Sequence, residues 1–335
     1  MREAQGPGHE GVLLGTPICH GPPRDKADAP YTRRPPLLQR SFSVAIAPPL
    51  VYSMRPMDVT TECYSCLKGL VEKTVALSHG GVAALSGALT LLDRLYAAGG
   101  TPPAIANRLL AGIKETTGVY DPYAPLKEAE YERAAMAVAR LKGRFEPTLE
   151  GALRCSALGN STDFFVEDGS FDPEEFLFSA PVDKIEEEIY IRGSEVLILG
   201  DNVGDFLFDI ALIRFLEGLG RRVFYAVREH PVQNDLSLKE VASHDLGRTG
   251  VNFISTGLGE VGIRREQMKG ALAALWEGDA LVIAKGMGNY ETITEFNRER
   301  PVVHIMKIKC RPVGEEAHYG VGSYVAMIGG EKDGR

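Results

Sequence analysis

The 335-residue sequence has no excess of positive charge, because 37 Lys and Arg residues stand against 45 Asp and Glu residues and give a formal net charge of −8. General nucleic-acid or anionic-membrane binders need a basic surface that displaces counterions. The sequence also lacks an apolar run of roughly 18 to 20 residues, the length of a membrane-spanning helix. Its first ten residues lack the apolar core of a signal peptide. We therefore expect a cytoplasmic protein without a nucleic-acid or membrane partner.

Cysteine is scarce and odd in number, with five residues at positions 19, 63, 66, 155 and 310. This argues against the paired framework of a secreted disulfide-rich domain. Cys63 and Cys66 form a C-x-x-C pair at the start of a predicted helix, where residues three apart share a face. A structural zinc needs four ligands, and no second Cys or His pair is evident. A metal site, a redox or oligomer contact and simple packing stay open for this pair, as does a homo-oligomeric state.

The composition changes along the chain and predicts three regions. Residues 1–56 are rich in proline, as in "GPP", "RRPP" and "APP", which predicts a disordered extension. Residues 57–185 carry apolar side chains at spacings of three and four, which predicts a helical domain. Residues 186–335 alternate short apolar strands with amphipathic helices. This alternation predicts a three-layer α/β/α domain with a mostly parallel, Rossmann-like sheet.

Polar side chains follow the predicted strands at their carboxyl ends, the edge where such sheets bind ligands. They are Asp201 and Asn202 after "EVLIL", Asn234 and Asp235 after "RRVFYAVR", Ser255 and Thr256 in "VNFIST", Lys285 in "DALVIAKG", and Lys309 in "VVHIMKIK". Carboxylate and amide oxygens suit magnesium or manganese, and lysines opposite a cation suit a phosphate. Taken singly, each residue also has a structural explanation, such as a helix cap at Asp201 or a paired, partly buried lysine.

Six motifs in order make the sequence resemble a known family. They are "DPYAPLKEAE", "GNSTDF", "GDNVGD", "PVQND", "AKGMGNYE" and "MKIKC". These segments resemble the metal-dependent damage-control phosphatases, a family first catalogued as domain of unknown function 89. The segment "ECYSCLKGLVEK" resembles the Cys-pair start of the prokaryotic branch of that family. The resemblance covers about Asp58 to Gly329.

The resemblance implies that Asp201, Asn202 and Asp235 hold a divalent cation, which we expect to be Mn, Co, Ni or Mg. It also implies an α/β/α sheet with an N-terminal helical domain. The implied reaction is hydrolysis of phosphate monoesters of small metabolites, such as sugar phosphates or damaged phosphometabolites. From the residue types, we expect Lys285 and Lys309 to balance the charge on the phosphoryl oxygens.

Substrate contacts are expected from Asn160, Asp163, Asn234, Asn289 and Glu291. Asn160 and Asp163, both in "GNSTDF", have the alternative role of capping a helix and holding the helical region against the sheet. Asn289 and Glu291 follow "AKGMG" closely enough to favour substrate contact. The partner expected at this edge is a small phosphorylated metabolite.

Two other functions stay open from the sequence. A Rossmann-like sheet also binds S-adenosylmethionine in carboxyl methyltransferases, and a non-catalytic protein could bind a phosphometabolite as a sensor. A methyltransferase would need a glycine-rich first loop, whereas "GDNVGD" has one glycine on each side of its first acid, which favours a metal. The segment "GLGEVG" satisfies G-x-G-x-x-G, but the next predicted strand has Lys285 rather than an acid near its end, which argues against a dinucleotide site.

Overall fold

The structure is a computed structural model, and it describes residues 57–160, 177–296 and 299–330. The predicted extension 1–56 and Asp163 lie outside the described residues. All described residues belong to one compact unit. Within these ranges no helix is both long and apolar enough to cross a membrane.

Five helices come first, and local sequence explains several of their ends. They are α1 (Thr61–Leu77), α2 (Val82–Ala98), α3 (Pro102–Thr117), α4 (Ala124–Leu141) and α5 (Leu149–Gly159). Proline begins α3, because the first helical nitrogens have no partner within the helix. Gly118 ends α3 with a φ of 70°, the left-handed conformation that glycine adopts after helices. Helices α1, α2 and α3 pack through an apolar cluster that contains the fully buried Val71 and Leu92.

Seven strands form one sheet. They are β1 (Phe178–Ser179), β2 (Glu195–Leu199), β3 (Arg222–Val227), β4 (Asn252–Ser255), β5 (Leu281–Lys285), β6 (Val302–Lys307) and β7 (Tyr324–Gly329). Their order is β1-β7-β6-β5-β2-β3-β4, and all neighbours are parallel except β6 and β7. The connecting helices are α6 (Val182–Ile191), α7 (Asp205–Gly218), α8 (Leu238–Ser243), α9 (Gly270–Glu277), α10 (Gly286–Ile293) and α11 (Arg311–Ala317). The predicted α/β fold with a mostly parallel sheet is confirmed.

Helices cover both faces of the sheet, and alternate residues of β2 point to opposite layers. Val196 and Ile198 join an apolar cluster with α4 to α7, whereas Leu197 and Leu199 join a second cluster with α9. Burial on both faces explains why the strand is apolar along almost its whole length. Helices α4 and α5 share their apolar cluster with the sheet rather than with α1 to α3. The domain boundary near residue 185 stays a prediction.

The order of the strands leaves a crevice at the carboxyl edge of the sheet. The chain goes from β2 to β3 and β4 on one side and returns to β5 on the other side of β2. The loops that leave β2 and β5 therefore diverge. In sheets of this kind the point of divergence is where ligands bind.

One buried side chain in the sheet is sensitive to acid. His304 lies within β6, fully buried, with its ring centroid 5.1 Å from that of Tyr290. Neither ring nitrogen has a hydrogen-bond partner in the described part of the chain. Burial lowers the pKa of His304 from its ordinary 6.5 to about 3. The imidazole is therefore neutral in the folded protein at neutral pH.

We expect His304 to weaken the fold as the pH falls, because the unfolded chain binds a proton below pH 6.5 that the folded chain takes up only near pH 3. This contribution to the free energy of unfolding is complete above pH 6.5, and about 2 kcal/mol of it is lost by pH 5. Urea unfolding should show that the free energy of unfolding falls between pH 7 and pH 5 by about 2 kcal/mol more in the wild type than in His304→Phe. Equal changes in the two proteins would contradict the prediction.

Candidate metal and phosphate site

The loop after β2 pairs with the loop after β3, and this pairing builds the centre of the site. Asn202 forms an antiparallel bridge with Asp235. The amide of Leu236 donates to the carbonyl of Asp201 at 2.8 Å, and the amide of Val203 donates to the carbonyl of Asn234 at 2.9 Å. The backbone thus holds the two carboxylates and the carboxamide predicted to bind a metal next to one another at the carboxyl edge of the sheet.

These three side chains are mostly buried, which is unusual for carboxylates. The exposed fractions are 8% for Asp201, 7% for Asn202 and 4% for Asp235. Just before them in the turn, Gln233 has a φ of 42°, in the left-handed region that non-glycine residues seldom occupy. Such strain is common at ligand sites, where the surrounding structure enforces it.

The start of α10 touches the centre from the other side of the crevice. Gly286, the first residue of α10, has a φ of 74°. A Cβ atom at this position would lie 1.8 Å from Oδ2 of Asp201. Only glycine therefore allows the loop after β5 to approach Asp201 this closely.

The side chain of Asn160 binds the carboxylates of both Asp201 and Asp205. Its amide nitrogen donates to Oδ2 of Asp201 at 2.8 Å and to Oδ2 of Asp205 at 2.9 Å. Its carbonyl oxygen accepts from the amide of Lys307 at 3.1 Å. The side chain of Asn160 therefore joins the end of α5 to β2, α7 and β6, which fits the supporting role that the sequence left open. A direct substrate contact stays a prediction.

Asp205 is fully buried at the start of α7, and its Oδ1 has no partner among the described residues. Burial raises the pKa of Asp205 well above its usual value, and repulsion from Asp201 and Asp209 adds to this, while Lys285 acts in the opposite direction. A cation bound by Asp201 would stabilise this carboxylate electrostatically. An orphaned carboxylate oxygen beside the predicted ligands is one observation that favours a metal here.

Arg228 pairs with the third predicted ligand. Its Nε donates to Oδ2 of Asp235 at 2.8 Å, and its Nη2 donates to Oδ1 of Asn289 at 3.2 Å. Burial raises the pKa of Asp235 to about 6, although the attraction of Arg228 lowers it. The sequence analysis missed Arg228. An arginine directly after the apolar segment "VFYAV" was the available signal.

Asn289 lies beneath the crevice, fully buried. Its amide nitrogen donates to the carbonyls of Lys285, Gly200 and Leu199 at 2.8, 3.0 and 3.3 Å. These bonds fix the loops after β2 and β5 relative to each other. Both polar atoms of its side chain have hydrogen-bond partners in the protein, and its predicted contact with substrate stays a prediction.

The structure places Lys285 beneath the rim rather than on it. Its ammonium donates to Oδ1 of Asp209 at 2.6 Å, and to the carbonyl and hydroxyl oxygens of Ser156 at 2.7 and 2.9 Å. Tyr225 donates to the other oxygen of Asp209 at 2.7 Å. Lys285 and Asp209 are both 0% exposed. Three protein acceptors therefore use the three ammonium hydrogens of Lys285.

Glu130 on α4 belongs to this site, although the sequence analysis did not single it out. Its carboxylate accepts from the side chain of Asn234 at 2.9 Å and from the amide of Gly204 at 3.4 Å. Burial raises the pKa of Glu130; Asp201 also raises it, while Lys309 and the two hydrogen bonds lower it. The side chain of Asn234 is thus bonded to the protein, and its substrate contact stays a prediction. Lys309 is exposed at the rim.

A buried ion-pair network connects the motif that contains Glu130 to α8. Lys127 is 1% exposed and contacts Asp121 at 3.1 Å and Glu240 at 2.6 Å. Glu240 also caps α8 through Ser237. The network fixes α4 against α8 and so positions Glu130 above the loop after β2.

Glu291 belongs to α10 and is partly buried, and burial raises its pKa to about 8. Its carboxyl raises the pKa values of the Cys66 and Cys310 thiols, after the effect of their burial. The predicted contact of Glu291 with substrate stays a prediction.

The donor set at the centre fits a hard divalent cation. Asp201, Asn202 and Asp235 offer only oxygen donors from their carboxylates and amide carbonyl, as magnesium and manganese prefer. Across the described ranges no three His, Cys, Asp or Glu side chains are arranged to hold a metal. The Asp201 set contains two carboxylates and one amide, and so differs from such a group.

Comparison with known proteins agrees with the sequence resemblance. The model of the damage-control phosphatase ARMT1-like domain matches residues 59–325. A damage-control phosphatase of Pyrococcus horikoshii is 27% identical over 288 residues, which cover 81% of this chain and 98% of that protein. One of Archaeoglobus fulgidus is 26% identical over 289 residues, covering 81% of this chain and 99% of that protein.

A solved structure supports the same assignment. The crystal structure of a DUF89 family protein from Pyrococcus horikoshii superimposes with a TM-score of 0.71 at 25% sequence identity, covering 81% of this chain and 99% of that one. The predicted family and the phosphatase class are thereby confirmed, whereas the assignment to a branch with an N-terminal C-x-x-C stays a prediction. This chain belongs to the damage-control phosphatases with an ARMT1-like domain.

Proposed function

We propose that Asp201, Asn202 and Asp235 hold the divalent cation of a phosphatase that hydrolyses phosphate monoesters of small metabolites. The observation that carries this proposal is the pairing of the loops after β2 and β3, which gathers buried oxygen donors at the crevice of the sheet. Held by these three residues, a cation would supply Lewis-acid polarisation of the phosphoryl group and of an attacking water. Mn, Co, Ni and Mg are the candidate metals, since all accept oxygen ligands.

The surrounding side chains orient the ligands and leave one face open. Asn160 and Arg228 each bind one oxygen of a ligand carboxylate, which fixes the direction of the other oxygen. Lys309 is the exposed cation at the rim, and we assign to it the charge balance on the non-bridging oxygens of the phosphate. Lys285 lies beneath these residues, where its ammonium forms a buried ion pair with Asp209.

We also propose a substrate type and a cellular location for the protein. The substrate is a small phosphorylated metabolite, of the sugar phosphate or damaged phosphometabolite type. The net charge of −8 favours neither a nucleic-acid nor a membrane partner, and we place the protein in the cytoplasm. A homo-oligomer is compatible with this function.

Metal-stripped protein should be inactive on p-nitrophenyl phosphate and should regain turnover when manganese, cobalt, nickel or magnesium is added. Asp201→Ala should lower the metal-restored rate by at least about 100-fold, because removing a metal ligand lowers activity more than removing a residue that only orients a ligand. The exposed Asp183→Ala is the matched control and should keep wild-type activity. Calorimetric metal binding without turnover on any phosphate monoester would contradict the phosphatase proposal and favour a sensor or a methyltransferase.

Glu130→Gln should weaken metal binding and turnover by about tenfold, because one amide oxygen cannot replace both carboxylate oxygens that hold Asn234 and Gly204. The measurements are metal titration and kcat on the same phosphate ester. Glu132→Gln, an exposed change on the same helix, is the control. Wild-type metal affinity in Glu130→Gln would show that Glu130 does not position the site.

Lys285→Met should lower the free energy of unfolding by about 3 to 5 kcal/mol, because Asp209 would be buried without its partner. The double variant Lys285→Met with Asp209→Asn removes both charges and should recover most of this stability. We expect activity to return with stability, as measured by urea unfolding and phosphate release. A stable double variant without activity would instead support direct contact between Lys285 and the phosphate.

A further inference from the structure

Helix α3 presents two polar side chains to the loops that carry the site. Asn107 and Lys114 are two helical turns apart, so they lie about 20° from each other around the helix axis. Ile105, Leu109 and Ile113 belong to the apolar cluster that α3 shares with α1 and α2. Asn107 and Lys114 lie on the opposite side of α3 from these apolar residues and contact the loops after β4 and β3.

Asn107 binds both backbone groups of one residue in the loop after β4. Its Oδ1 accepts from the amide of Val261 at 2.8 Å, and its Nδ2 donates to the carbonyl of Val261 at 3.1 Å. A carboxamide can form this pair of bonds because it carries a donor and an acceptor side by side. A side chain of similar size that lacks the amide loses one or both bonds.

The residue after Val261 connects this loop to Arg228. Gly262 has a φ of 74°, and a Cβ atom there would lie 2.4 Å from Cγ2 of Thr292 on α10, so the loop lies close against that helix. The carbonyl of Gly262 accepts from Nη1 of Arg228, whose Nε donates to Oδ2 of Asp235. Fixing Val261 therefore fixes the acceptor that orients the arginine bound to a proposed metal ligand.

Lys114 holds the loop after β3 at a second place. Its ammonium donates to the carbonyl of Pro231 at 2.7 Å, in the turn that leads to Asp235. The same turn contains Gln233 with its left-handed φ of 42°, a conformation that the surrounding structure has to enforce. The bond from α3 supplies part of that support.

We propose that Asn107 and Lys114 are positioning residues, which set the direction of the Asp235 carboxylate from the helical layer. The inference rests on the proposed function, since it assigns both side chains to the geometry of the same cation site. Asn107 acts through the loop after β4 and Arg228, and Lys114 acts through the turn that precedes Asp235. Helix α3 therefore contributes to cation binding as well as to the fold.

Asn107→Leu and Lys114→Met should each weaken the binding of magnesium to the folded full-length protein by about tenfold, because residues that orient a ligand usually contribute this much to metal affinity. Calorimetric titration measures the affinity, and circular dichroism verifies the fold. Arg108→Ala and Glu115→Gln are exposed changes on the same helix and should bind as the wild type does. A purely structural role would lower the free energy of unfolding and leave metal affinity unchanged. Wild-type affinity in either folded variant would overturn the role of the residue that it replaces.

A second measurement uses the wild type alone and does not depend on the folding of any variant. Because coupling is reciprocal, a bound cation should strengthen the bonds of Asn107 by the same factor by which these bonds strengthen cation binding. Saturating magnesium should therefore slow hydrogen exchange at the amide of Val261 by about tenfold. The amide of Leu85, in the first turn of α2, is the control and should not change.

The outcomes separate this inference from the proposed function. Magnesium binding without turnover in the wild type would contradict the phosphatase proposal alone, because the titrations and the exchange rates still report on the positioning of Asp235. Unchanged exchange at Val261 in the metal-bound wild type would overturn the role of Asn107, even with full turnover. Absence of any divalent cation binding by the wild type would overturn both proposals.

Discussion

The pairing of the loop after β2 with the loop after β3 is the interaction on which the site depends. Parallel neighbours bring their carboxyl ends to the same edge, but two carboxylates would normally repel each other there. Two backbone hydrogen bonds, at the carbonyls of Asp201 and Asn234, fix the loops regardless of that repulsion. The strained φ at Gln233 and the close approach of Gly286 are local costs of the same arrangement.

The second constraint is the distribution of buried charge. Asp235 is paired with Arg228, and Asp209 is paired with Lys285, whereas among the described residues Asp201 and Asp205 share only the amide of Asn160. A buried carboxylate without a cation is costly, and the raised pKa of Asp205 reflects this. The unbalanced negative charge therefore lies at Asp201 and Asp205, where the proposed cation binds. The charges of Asp235 and Asp209 are balanced by Arg228 and Lys285.

Much of the fold and the centre of the site could be predicted from the sequence. Continuous apolar strands gave the mostly parallel sheet, and its topology places Asp201, Asn202 and Asp235 together because they follow adjacent strands. The burial of Lys285 could not be predicted, since its partner Asp209 lies 76 positions away and pairs with it only in the folded chain. Glu130 was missed for a similar reason, because its partners Asn234 and Gly204 come from distant parts of the chain. Arg228 could have been found, since it directly follows the apolar segment "VFYAV".

Helix α10 spans only eight residues, yet two of them meet the loops on either side of the crevice. Gly286, its first residue, lies close to Asp201, and Asn289, one turn later, donates to the carbonyls of Leu199 and Gly200. A single helical turn therefore sets the width of the crevice. A substitution at either residue would change how closely the loops after β2 and β5 approach each other.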